Sequence, residues 1–99
     1  MDGLSEFEME VLANLPIEPT GFSLAELAND LLNDRGPAAR GKVRRALDRI
    51  AEALGGLYVR TGNDDLGGFS VKMYGIRRRK MPAVRRFFAE RAEKQLVHV

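Results

Sequence analysis

Apolar residues recur at Leu4, Phe7, Val11, Leu12 and Leu15. Their spacing places them on one face of a helix. Ser5 with Glu8 three residues on forms a capping box, and Leu4 with Met9 supplies the hydrophobic staple around it. Pro16 and Pro19 stop the run, which predicts a first helix over about 5–15. The same signature returns at Ser23 and Glu26, with Phe22 and Leu27 as staple. Leu24, Leu27, Ala28, Leu31 and Leu32 then predict a second helix over about 24–33. Gly36 reads as its C-terminal cap, and Pro37 as a first-turn residue of the next helix. Val43, Ala46, Leu47, Ile50 and Leu54 form the stripe of this third helix, about 38–54.

Helical periodicity stops at Gly55-Gly56. Two β-like runs come next, Leu57–Thr61 and Phe69–Tyr74, separated by turn formers at Gly62–Gly68. They predict a hairpin with a loop longer than the minimal two residues. Thr20-Gly21-Phe22 reads as a further, very short strand. Pro82 opens a fourth helix over about 82–95, with Val84, Phe87, Phe88, Ala92 and Leu96 as contacts. Adjacent on a helix, Phe87 and Phe88 point about 100° apart. One is expected to pack on the domain and the other on a second copy of the chain. The fold class is therefore mainly α with a small antiparallel sheet, in the order α-β-α-α-β-β-α. It forms one domain over 1–99, in which 82–99 is a C-terminal helix and tail.

Ninety-nine residues support one core but no large internal substrate cavity. There is no cysteine, so neither a disulfide framework nor a thiolate metal site is available. His98 is the only histidine. No glycine-rich phosphate loop, nucleophile elbow or metal-ligand spacing is present. The chain reads as a non-enzyme with no cofactor and no metal. Its acidic start lacks a basic n-region, and no apolar run approaches membrane length. These features predict a cytoplasmic protein that does not engage membranes.

The charges are unevenly placed. Residues 1–34 hold eight acids and no base, a formal −8, whereas residues 35–99 hold sixteen bases and six acids, a formal +10. Such asymmetry is a sign of nucleic-acid binding. It also allows a basic protein partner for the acidic segment.

The element order, together with Leu24-Ala25-Glu26-Leu27-Ala28 and the run Val43–Leu57, resembles the winged helix-turn-helix fold of small bacterial and phage regulators. Tyr74-Gly75-Ile76 followed by basic residues is similar to the end of the second wing strand in MarR-type and PadR-type groups. The resemblance covers residues 5–95 and is not specific to one family. It implies duplex-DNA binding, the third helix being the recognition helix. Fourteen residues separate Ala28 from Val43, more than the compact turn of the simplest regulators. A longer second helix or a more open turn is expected.

With the apolar stripe facing inward, Gly41, Arg44, Arg45, Asp48 and Glu52 face outward, with Arg40, Lys42 and Arg49 on the flanks. The arginine fork suits both guanine edges and phosphates. The DNA-binding candidates are Arg40, Lys42, Arg44, Arg45 and Arg49 on this helix, and Arg60 and Lys72 at facing ends of the hairpin strands. Arg77, Arg78, Arg79 and Lys80 complete the set, fanning out from an extended linker to neutralise phosphates. Asp64 and Asp65 at the hairpin tip would be repelled by phosphate, which favours approach through the strands. Asn63-Asp64-Asp65 lacks the spacing of a calcium loop and reads as a polar turn.

The leading expectation is a sequence-specific double-stranded DNA-binding protein, a small transcriptional regulator or mobile-element accessory protein, nucleoid-associated when bound. It is expected to act as a homodimer, with Phe87 or Phe88 at the contact, because one recognition helix reads few base pairs. The alternatives are a winged-helix protein-interaction adaptor and an RNA- or single-strand-binding module.

Overall fold

Local chemistry starts the first two helices. In a computed structural model describing residues 3–63 and 70–97, α1 spans Glu6–Asn14 and α2 spans Leu24–Leu32. The Ser5 and Ser23 hydroxyls each accept the amide three residues on at 3.1 Å, from Glu8 and Glu26. Both glutamates reach back to accept the serine amide, at 2.8 and 2.9 Å. Each box therefore satisfies two donors that a helix start leaves orphaned. The hairpin tip with Asp64 and Asp65, His98, and the Leu96 side chain lie outside the described residues.

The end of α2 corrects the expectation for Gly36. Asn33, at φ 51°, takes the left-handed cap, and its amide donates to Asn29 O at 3.0 Å. Asparagine is among the few residues that tolerate this conformation. Gly36 instead caps the start of α3, Pro37–Leu54, and donates its amide to the Asp34 carboxylate at 2.8 Å. A four-residue turn, 33–36, thus joins the helices. Of the fourteen residues between Ala28 and Val43, four belong to α2, four to the turn and six to α3.

Beyond α3, strands β1 (Tyr58–Asn63) and β2 (Ser70–Gly75) pair antiparallel, Tyr58 opposite Gly75. Thr20-Gly21-Phe22 forms no strand. A single antiparallel bridge joins Phe22 to Tyr74, with amide bonds of 2.9 and 2.8 Å. A second bridge, parallel, joins Ile17 to Ile76. Residues 16–22 thus run along the free edge of β2, and Pro16 and Pro19, which have no amide to donate, keep the pairing intermittent. Gly75 lies beneath this segment. A Cβ there would stand 2.5 Å from Thr20 O and 3.0 Å from Pro16 O. Gly75→Ala is expected to lower stability by about 1–3 kcal/mol, because the obstacles are backbone atoms. Urea unfolding checks this.

The core gathers Val11, Leu12 and Leu15 of α1 and its cap, Leu27 and Ala28 of α2, and Val43, Ala46, Leu47, Ile50 and Leu54 of α3. Leu57, Ile76 and Val84 close it from the hairpin side and from α4, Met81–Val97. The segment before α4 is not the extended linker expected. Arg78–Lys80 forms a 3-10 turn, because the Glu18 carboxylate accepts the Arg78 amide at 2.7 Å and Arg77 O accepts the Lys80 amide at 2.8 Å. Phe87 and Phe88 are both half-buried against the core, with ring centroids 5.3 Å apart at 70°. Ala92 is exposed, contrary to expectation, since the stripe through Val84 and Phe88 continues into Arg91. Among the described residues no helix is long and apolar enough to cross a membrane.

Candidate nucleic-acid interface

The apolar stripe of α3 is fully buried, which fixes the phase of its other residues. Arg44, Arg45, Asp48 and Glu52 are exposed, as are Arg40, Lys42 and Arg49. At about 100° per residue, Arg40 falls on one flank with Arg44 about 40° from it toward the outward centre, whereas Lys42 and Arg49 fall roughly 180° from Arg40. Contacts agree with this division. The Lys42 ammonium stands 4.4 Å from the centroid of the Phe7 ring on α1. Arg49 donates to the Glu52 carboxylate at 3.2 Å. Lys42, and Arg49 with its Nη2 3.7 Å from where a Gly3 Cβ would stand, therefore belong to the α1 side, away from Arg40.

On the other flank the side chains converge. A groove of about 360 Å³ is lined by Ser23, Leu24 and Ala25 at the start of α2, Arg40 and Arg44 of α3, and Val71, Lys72 and Tyr74 of β2. The bridge between Phe22 and Tyr74 holds β2 against the start of α2 and so sets the groove's width. Among the described residues Arg40, Arg44, Arg45 and Lys72 make no ion pair. Arg45 extends back toward Gly41, its Nη1 3.5 Å from where a Gly41 Cβ would stand.

The hairpin bases do not face each other. Arg60 pairs with Met73, and Lys72 with Thr61. Since alternate residues take opposite faces, Arg60 and Lys72 lie on opposite sides of the ribbon. Arg60 Nε donates to Pro19 O at 3.1 Å, which ties β1 to the 16–22 segment. Only Lys72 reaches the groove.

The Arg77–Lys80 cluster is used differently from the fan expected. Arg77 is half-buried and donates to Leu57 O at 3.4 Å. The Arg78 guanidinium donates to Glu18 O at 3.0 Å. Lys80 Nζ lies 3.6 Å from a Cβ built on Gly55, beside the left-handed cap of α3. Cations here complement the negative end of the α3 dipole. Arg79 is exposed. This end of α3 is about 22 Å along the helix from Arg40, at 1.5 Å per residue. The two basic zones are separate.

Sequence reasoning missed Tyr74 as a groove wall. The signal was available, because Tyr74 stands two positions from Lys72 and so shares its face of β2. Leu24 and Ala25 as groove lining were not legible, because their place depends on the bridge to β2. No family model, curated protein or solved structure matches this chain.

Proposed function

We propose that the chain is a winged helix-turn-helix protein that binds double-stranded DNA sequence-specifically, as a small regulator or mobile-element accessory protein. The observation that carries this reading is the groove, where Arg40, Arg44 and Lys72 come from two elements onto one surface beside the exposed Arg45. On this view α3 enters the major groove with its N-terminal half foremost, and Lys72 meets the flanking phosphates from a strand of the wing. The acids support it indirectly. Glu8, Glu18, Glu26 and Asp34 each accept a backbone amide. Half of the eight N-terminal acids thus have local structural work, which weakens the case for an acidic docking surface.

Gel-shift titrations of duplex DNA, single strands and RNA at several salt concentrations test the reading. One duplex sequence is expected to bind tightest, with log K falling linearly in log salt. Equal or tighter binding of RNA or single strands removes it. The homodimer belongs to the same proposal, with α1 and α4 as the contact. Light scattering at micromolar concentration, with and without duplex, is expected to give a dimer mass.

Gly41 offers a separate check. A methyl group there meets only the flexible end of Arg45, at 3.5 Å. Gly41→Ala is expected to stabilise the free protein by about 0.5–1 kcal/mol, from helix propensity alone. The same methyl group would obstruct close approach of the helix to the floor of the DNA groove. A raised melting temperature with weakened duplex binding is the expected pair of results.

A further inference from the structure

The outward face of α3 changes sign along its length. Arg40, Arg44 and Arg45 occupy its first half, and Asp48 and Glu52 its second, all exposed. Glu52 is paired with Arg49 at 3.2 Å. Asp48 has no ion-pair partner among the described residues, although Arg44 and Arg45 lie four and three positions before it. Arg45 extends toward Gly41 instead, away from the carboxylate. In the free protein an exposed carboxylate of this kind is solvated and carries little cost. Against a duplex it is different. Phosphates within about 8 Å interact with it largely unscreened at physiological salt, and the interaction is repulsive. Its angular place decides what it meets. At about 100° per residue Asp48 lies within roughly 20° of Gly41, near the middle of the outward face rather than on a flank. A helix lying in the major groove turns its flanks to the phosphates and its middle to the base edges.

We infer that Asp48 is a specificity-determining residue that accepts the N4 amino group of a cytosine and penalises duplexes lacking one there; this rests on α3 being the helix that reads DNA. A carboxylate is the side chain suited to that donor, as the arginine fork is to guanine O6 and N7. Three to four residues of helix span about 4.5–6 Å, against about 3.4 Å per base step. The guanine read by Arg44 or Arg45 and the cytosine read by Asp48 therefore lie one or two steps apart. The preferred half-site is G·C-rich at its centre.

The experiment selects duplexes from a randomised pool with the wild-type protein, Asp48→Ala and Asp48→Asn. The selected duplex and single-base variants of it are then titrated against each. Wild type is expected to select a guanine and a cytosine one or two steps apart. Replacing that cytosine is expected to weaken wild-type binding about 10- to 100-fold and to leave Asp48→Ala nearly unaffected. Asp48→Ala is also expected to bind scrambled duplex several-fold tighter than wild type. If Asp48→Ala keeps the wild-type base preferences while binding every duplex tighter, Asp48 only repels phosphate and the inference is overturned. If base preferences and affinities are both unchanged, α3 does not present this face to DNA and the inference is again overturned. Failure of wild type to select any duplex removes the DNA-binding reading beneath it. Melting curves of both variants should match the parent, since Asp48 is exposed.

Discussion

Leu47→Ala is expected to lower folding stability by about 2–5 kcal/mol. Leu47 is 2% exposed, in the cluster where α3 packs against both α1 and α2. Removing its branched end deletes apolar contacts and leaves a void that three helices cannot all close around at once. Domains of this size have only about 5–15 kcal/mol in total, so the loss is a large fraction. Each 1 kcal/mol lowers the melting temperature by roughly 4–8 °C in such a domain. A drop of at least about 8 °C is therefore expected by circular dichroism. Glu52→Ala on the same helix provides the contrast. It breaks an exposed ion pair worth about 0.3–0.5 kcal/mol and should barely move the transition. A Leu47→Ala protein that melts with the parent would mean that the inward phase of α3 is wrong, and the outward face with it.

The second large effect lies on that outward face. Arg44→Ala is expected to weaken binding to the preferred duplex by about 1–3 kcal/mol and binding to a scrambled duplex little. Lys72→Ala is expected to do the reverse. It weakens both duplexes alike and lowers the magnitude of the salt slope by about 0.9, as loss of one phosphate contact does. The distinction comes from position, since Arg44 stands on the helix and Lys72 on the strand across the groove from it. Arg77→Ala and Arg78→Ala serve as controls. Both side chains hold backbone carbonyls, of Leu57 and Glu18, so stability should fall while the ratio of specific to scrambled binding stays constant. Titration of all four variants on both duplexes, at several salt concentrations, separates the outcomes. If Arg44→Ala weakens both duplexes equally, α3 is not the reader.

Counted along the chain, the sixteen bases look like one continuous field. In the fold they have several occupations. Lys42 covers an aromatic ring, Arg49 pairs with Glu52, and Arg60, Arg77 and Arg78 donate to carbonyls. The acids divide similarly, into four that accept backbone amides and others, among them Glu6 and Glu10, that face solvent.

Elements whose causes are local were legible in the order of residues. The capping boxes at Ser5 and Ser23 and the three-four spacing on α3 act within a few residues, and the helices lie within one or two positions of where those signals put them. The inward set on α3, and with it the exposure of Arg44, Arg45 and Asp48, comes from the same periodicity. Other features took shape only in three dimensions, because their causes lie far apart in the chain. The 16–22 segment joins the edge of β2 through residues some fifty to sixty positions away, and Glu18 turns Arg78–Lys80 into a 3-10 start for α4. The hairpin register, one residue from the pairing expected, sends Arg60 and Lys72 to opposite faces. A side-chain period of two makes any single-residue shift do this. The groove is the product of these distant contacts. Its arginines were legible on the helix, but their partnership with Lys72 and Tyr74 required the strand to be set beside them.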